Sequence, residues 1–334
     1  MLGCEQRDDY FLVGTPADKK AQKKLLVALE DDAGSAENRF ILNNQIINAF
    51  LEHREIEKMN LFLTAYAKTH PDDAFNAYYL LLVAENYRSS GAYPFAVHYY
   101  ERVLKNHRDL LLEGEQSIHY ICLTNLVRMV KEPEIRVNYH KELLERFADS
   151  IDKGATYYSL AKTYEELGKW DLAMQHYKEY LKYPGTVIID NPNAGIEVAS
   201  MVALYDLPKK NWTMENLDDL VQRVRNAIWR KDMRVLNALR AGVDYFVRAW
   251  EDEDSEQELE LLNDLGVFLQ QGKILSSNTL DRDSNEREAY LRTSGWGYRI
   301  RTWYLYFRKV SFPPDPEIHG QWEWAGIYLG EKPY

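Results

Sequence analysis

The sequence predicts a mostly α-helical chain that ends in a small α+β region. Three observations carry this. Apolar residues recur at helical spacing as far as Leu207, in pairs of segments separated by short turns. The helical pattern resumes at Leu217 without that pairing. After Gly272 it gives way to runs of aromatic and β-branched residues punctuated by glycine and proline, as in strands. The 334 residues are 46% hydrophobic and 28% charged, the balance of a globular protein rather than a disordered or fibrous one. The net charge of -11 disfavours bulk attraction to nucleic acid. No run of 18 apolar residues occurs, so no helix is predicted to span a membrane.

The first 20 residues read as a tether. From 21 to 207 the helical segments repeat. The clearest unit is Ala155–Pro184, where Tyr157, Leu160, Ala161 and Tyr164 line one helix and Ala173 and Tyr177 the next, with Gly168 in the turn. A second unit places Leu80, Val83, Ala84 and Tyr87 before Gly91, then Ala96 and Tyr100. A third has His119, Cys122, Leu123 and Leu126, a turn at Glu132-Pro133, then Ile135 and Tyr139. A fourth uses Ile46, Ile47 and Phe50, then Met59 and Leu63, ending at Pro71. The starts fall near residues 40, 77, 116 and 155, at offsets of 37, 39 and 39. A further apolar helix over Asp190–Leu207 is placed to cap the last repeat.

The spacing of the Ala155–Pro184 unit resembles the tetratricopeptide repeat (TPR), a helix–turn–helix unit of about 34 residues. The resemblance implies a curved helical solenoid with first helices along its concave side. Carried onto this chain, the family's contact slots are Asn44, Asn48, Tyr78, Glu85, Arg88, Tyr120, Thr124, Tyr158, Lys162 and Glu165. They mix charges and aromatics and lack the Lys/Asn pattern that clamps a terminal carboxylate. They therefore imply a protein partner without that code. The alternative use of any one of them is a solvated surface position.

Residues 213–334 form the second region. Leu217, Leu220, Val221, Val224 and Ile228 give a helix with Thr213 as its expected N-cap, followed by a short helix Met233–Leu239. An acidic run, Glu251–Glu260, is expected to open a third helix reaching Gln271. Strands are expected at Glu288–Thr293, Tyr298–Val310 and Gln321–Leu329. On the last of these, strict alternation would put Trp322, Trp324 and Tyr328 on one face. Helices followed by a curved antiparallel sheet resemble the NTF2-like (SnoaL-like) fold. That resemblance implies a cone, where Trp296, Trp303, Trp322 and Trp324 would line a pocket for a glycan or lipid fragment or else pack the core.

The chain carries no H-E-x-x-H, no G-x-S-x-G and no P-loop. Asp281-x-Asp283-x-Asn285 opens like a calcium loop, but Glu286 stands where glycine is required. An Asp244–His319 pair is the one acid–base arrangement the NTF2-like resemblance suggests. Arg299, Arg301, Arg308 and Lys309 make a local basic strand. Cys122 lies in an apolar pattern and is expected to be buried. Leu2-Gly3-Cys4 followed by polar residues resembles the end of a bacterial lipoprotein signal. That implies acylation of Cys4 and a periplasmic location, with lipid as the membrane contact; the alternative is a cytoplasmic N-terminus. The combined expectation is a non-enzymatic scaffold that binds another envelope protein, without cofactor, metal or nucleic acid.

Overall fold

The computed structural model describes residues 9–30, 34–112, 114–250, 265–297 and 300–332. Cys4, Arg299 and the acidic run Glu251–Glu260 lie outside the described residues. Thirteen helices and a five-stranded sheet are described. The chain is mostly α with a small α+β part, divided into compact units Met1–Lys169 and Trp170–Tyr334.

The first unit contains α1 (Pro16–Glu30), α2 (Ala36–Glu52), α3 (Ile56–Thr69), α4 (Asn76–Ser89), α5 (Tyr93–Asn106), α6 (Ile118–Met129), α7 (Pro133–Arg146) and α8 (Lys153–Glu166). Each helix packs on the next in sequence. α1 begins inside the stretch read as a tether: Thr15 Oγ1 accepts from Asp18 N, and Asp18 Oδ2 accepts from Thr15 N, a reciprocal cap. Ser35, Ser117 and Asp152 cap α2, α6 and α8 through their side-chain oxygens.

α4 explains the near-continuous apolar run in its sequence. Tyr79 and Val83 join one core with Ile46, Ile47, Phe50, Met59 and Leu63. Leu80 and Ala84 join a second with Ala96, Tyr100, Cys122 and Leu126. A helix with core on two sides has no wide polar face to present.

The hairpin turns share one geometry. At Gly91 (φ 76°) the backbone is left-handed, Gly91 N donates to Arg88 O, and Ala92 N donates to Tyr87 O. Gly168 (φ 65°) after α8 repeats this with Glu165 O, and Lys169 N reaches Tyr164 O. The same pair of bonds closes α2 at Arg54 (φ 58°), where no glycine marks the turn. This is the left-handed helix stop that satisfies orphan carbonyls. The α6–α7 turn differs. Val130 and Glu132 are extended, and Pro133 opens α7. Ile135, expected to point inward, is 39% exposed, and Val137, His140 and Leu143 form the buried stripe instead. The slot pattern fails because an extended turn rotates the second helix relative to one that follows a left-handed residue.

The second unit contains α9 (Trp170–Tyr180), α10 (Ala194–Asp206), α11 (Leu217–Trp229), α12 (Met233–Leu239), β1 (Phe246–Ala249), α13 (Leu265–Gln271), β2 (Leu275–Ser276), β3 (Glu288–Ser294), β4 (Thr302–Lys309) and β5 (Trp322–Leu329). The α11–α12 turn is again left-handed, at Lys231 (φ 54°). Asn216, not Thr213, caps α11, accepting from the amides of Asp218 and Asp219. Thr213 instead bonds Gln321, beside an antiparallel bridge between Met214 and Trp322.

The strand order is β1-β5-β4-β3-β2. The sheet is mixed rather than wholly antiparallel, because the short β1, unmarked in the sequence, runs parallel to β5. A second correction concerns β5. Trp324 pairs with Phe307 and Gly326 with Tyr306, leaving Ala325 as an extra residue. This bulge reverses the alternation. Trp322 and Trp324 therefore join the core, together with Trp303, Leu305 and Phe307 of β4. Tyr328 lies on the opposite face, stacked on Trp250 at 4.0 Å.

The shared turn makes a signed prediction. Arg54→Gly stabilises by up to about 1 kcal/mol by removing a side-chain clash from left-handed backbone. Gly91→Ala, whose added methyl meets nothing within 4 Å, destabilises by about 1–2 kcal/mol through backbone alone. Urea unfolding of both variants checks the opposite signs.

Candidate functional site

Helices α6, α7 and α8 line a cavity of about 250 Å³ that is open to solvent. α6 contributes Tyr120, Thr124 and Arg128, α7 contributes His140 and Leu143, and α8 contributes Thr156 and Ser159. The walls are held by their own bonds. The Tyr120 ring meets Phe147 edge-on at 5.6 Å, and its hydroxyl donates to Ser150 O at 3.4 Å. Thr124 Oγ1 donates to Tyr120 O at 2.7 Å. Thr156 Oγ1 donates to Asp152 O at 2.8 Å, and Asp152 caps α8 through Ala155 N.

His140 stands apart among these groups. It is 4% exposed, and its Nδ1 makes no hydrogen bond. Burial first, and the nearby Arg136 charge second, push its pKa down to about 4. The ring is neutral at pH 7, so Nδ1 offers one donor or one acceptor according to the tautomer. Leaving such an atom unpaired costs about 1–3 kcal/mol. A partner group that reached it would recover part of that.

The residues expected to contact a partner divide into groups. Tyr120 and Thr124 line the cavity. Glu85 is an internal junction: Tyr100 Oη donates to its Oε1 at 2.6 Å, Asn125 Nδ2 at 3.2 Å, and Arg88 grips its Oε2 with two nitrogens. Glu85 and Arg88 thus tie α4 to α5 and α6. Lys162 pairs with Glu165 along α8. Tyr78 is half-buried against Phe40 at 5.4 Å, Asn44 and Tyr158 are half-buried, and Asn48 is exposed. His140, Arg128, Thr156 and Ser159 were not singled out from sequence as contact residues. A histidine in the stripe Val137–His140–Leu143 was the available signal, visible only once the register of α7 is known.

In the second unit the four tryptophans are core. Trp296 and Trp303 stack at 4.2 Å. Trp296 Nε1 donates to Thr293 Oγ1, Trp303 Nε1 to Ile300 O, and Trp324 Nε1 to Gly326 O. Trp322 is 6% exposed, with Lys309 above its ring. Arg308 is paired with Glu323, while Arg301 is exposed. Asp244 and His319 are engaged separately: Asp244 accepts from Ser200 Oγ, and His319 Nδ1 accepts from Phe312 N. Asp281 and Asp283 both face Lys332, whose Nζ is 2.7 Å from Asp283 Oδ2, and Arg282 lies 3.9 Å from Asp283 Oδ1. Among the described residues no group of three or more His, Cys, Asp or Glu could hold a metal ion. Cys122 is fully buried, and burial raises its thiol pKa, so it is a packing residue and not a nucleophile.

Compared with known proteins, the chain matches no family model and no curated sequence.

The buried imidazole gives a pH dependence. The unfolded chain binds a proton at this side chain near pH 6.5, the folded chain only near pH 4. Between those values the unfolded state holds more protons, so the His140 contribution to stability is lost as pH falls from 6.5 toward 4. Between pH 7 and 4.5 the native chain loses roughly 2–3 kcal/mol more stability than His140→Gln. Paired urea titrations at the two pH values check this.

Proposed function

We propose that this protein is a non-enzymatic interaction scaffold whose first unit, a TPR-type solenoid, receives a side chain of a protein partner between α6 and α8. The carrying observation is the 250 Å³ cleft lined in part by His140, a buried imidazole whose Nδ1 makes no hydrogen bond. It is smaller than the roughly 300–1,000 Å³ of small-molecule pockets. A cavity of about 150 Å³ admits a benzene-sized group, so this one suits a single aromatic or long side chain. Interface energy concentrates on such anchors in preformed pockets.

The TPR-type reading is supported by the repeated left-handed turn and by fully buried Ala84, Ala96 and Ala161 at small-residue slots. The NTF2-like reading of the second unit is supported by α11 and α12 preceding the sheet and packing with it in one core. The envelope location, with lipid at Cys4 as anchor, rests on Leu2-Gly3-Cys4. The partner in this reading is another envelope protein.

The test is cross-linking of the full chain in bacterial envelope extracts, followed by mass spectrometry of the captured proteins and of the N-terminal peptide. Ser159→Phe, which fills the cavity from α8, is expected to weaken a recurrent partner about 100-fold, and Cys4 is expected to be acylated. A partner held equally by native chain and variant overturns the cavity as the docking point. An unmodified Cys4 overturns the anchor.

A further inference from the structure

Of the eight tryptophans in the chain, only Trp229 is exposed, at 81%. It is the last residue of α11, and its helix neighbours Val224, Ala227 and Ile228 are buried in the core shared with the sheet. The turn that follows is closed by backbone bonds. Arg230 N donates to Asn226 O at 2.9 Å, Lys231 N to Ile228 O at 3.0 Å, and Asp232 N to Ala227 O at 2.9 Å. Lys231 Nζ donates to Gln270 O at 2.8 Å, which ties the turn to the end of α13. The indole is thus held outward by a fixed frame. A ring with four-fifths of its surface in water stands on a protrusion and not in a groove.

The charge of this turn runs against that of the chain. Between Leu220 and Val243 the sequence holds six cations, Arg223, Arg225, Arg230, Lys231, Arg234 and Arg240, and one acid, Asp232. Asp232 is turned back onto α12, where its Oδ1 accepts from Val235 N at 3.1 Å. Arg225 donates to Ser277 O, and Arg240 lies against the Tyr245 ring, so neither belongs to the surface cluster. Arg223, Arg230, Lys231 and Arg234 are exposed. Among the described residues none of these four forms an ion pair. Arg223 precedes Arg230 by seven residues, two helical turns along the same side. A chain of net charge -11 therefore carries an exposed indole ringed by cations.

One kind of surface fits this set. A tryptophan that anchors a protein interface sits among apolar contacts that exclude water. Here the exposed neighbours along the chain are Asn226, Arg230, Lys231 and Arg234. Single-stranded nucleic acid is held by several aromatic rings along a charged groove, whereas this protrusion bears one ring. At a bilayer surface an indole rests at headgroup level with its apolar body toward the acyl chains, and cations beside it meet lipid phosphates. No shape match is required. Over a Debye length of about 10 Å at 0.1 M salt, local cations outweigh distant carboxylates. We propose that the α11–α12 turn is a contact site for an anionic phospholipid surface, with Trp229 in the headgroup layer and Arg223, Arg230, Lys231 and Arg234 over the lipid phosphates. The site is independent of the docking cavity on the first unit and needs no acyl group on Cys4.

The test is co-sedimentation of the full, unacylated chain with vesicles of phosphatidylcholine, alone or with about 30% phosphatidylglycerol. Partitioning is expected to be at least ten-fold stronger on the anionic vesicles and to weaken as salt is raised. Trp229→Ala is expected to weaken it about ten-fold. Arg230→Gln combined with Arg234→Gln is expected to weaken it about 25-fold at low salt, five-fold per cation. These positions are exposed, and urea unfolding of each variant checks that the fold is kept. Equal partitioning onto the two vesicles, none up to millimolar lipid, or folded variants that bind like the native chain would each overturn the proposal. Oligo(dT) or poly-glutamate bound as tightly as the anionic vesicles, and lost in the same variants, would reassign the turn to nucleic acid or an acidic protein and overturn the membrane reading.

Discussion

A helix that reverses direction must satisfy its last carbonyls within a few residues, and this chain meets that constraint repeatedly with one device. A single left-handed residue lets the next amide reach back five positions, to Phe50, Tyr87, Tyr164 or Ala227. The device fixes how the following chain leaves the turn, and so which of its residues face inward. Where it is present, Ala96 and Tyr100 are buried at the expected positions. The α6–α7 turn lacks it, and there the buried stripe of the second helix moves to Val137, His140 and Leu143. The same irregularity brings an imidazole into a wall that also carries Tyr120, Thr124, Arg128, Asp152, Thr156 and Ser159. The cavity thus arises where the repeat departs from its own rule.

In the second unit the comparable constraint is β5. It pairs with β4 along one edge, and along the other with Met214, Arg240 and β1 in turn. A strand serving so many partners must put apolar residues on the core face along its whole length. The bulge at Ala325 allows Trp324 and Ile327, three apart in sequence, to share that face. It also releases Tyr328 to the other face, where Tyr290, Tyr304, Tyr306 and Trp250 gather around it. Large buried aromatics carry much of a small core's stabilisation, and the satisfied indole N–H groups of Trp296, Trp303 and Trp324 fit that use.

Helix positions were legible because their signals are local. Periodic apolar residues placed α4, α5, α8, α11 and α12, and Gly91 and Gly168 announced two of the turns. The turns at Arg54 and Lys231 were not legible, since an arginine or lysine in left-handed backbone is held there by the hydrogen bonds around it and not by its own preference. The cap of α11 was read at Thr213, whose hydroxyl is instead taken up by its tertiary bond to Gln321, so Asn216 serves as the cap. The four-residue β1 is too short to show alternation, and a one-residue bulge leaves no mark in composition. For the sites, Tyr120 and Thr124 followed from repeat spacing, whereas Glu85 and Arg88 occupied similar slots and turned out to bind each other and the interior. Spacing gives the face of a helix; it does not say whether a neighbour already satisfies the group placed there.

That last distinction separates the cavity beside His140 from the rest of the polar surface. Ion pairs elsewhere, such as Arg292–Glu331 and Lys332–Asp283, neutralise each cation locally. Exposed pairs of this kind add little to stability, at most about 1 kcal/mol, but they remove charge from recognition. An acidic chain has carboxylates to spare for this purpose. The cavity beside His140 is different: it is small, uncharged at the imidazole, and its Thr124 and Thr156 hydroxyls are already bonded to their own helices. A narrow cleft whose hydroxyls are already satisfied within their own helices leaves shape as the main discriminator among side chains that could enter it.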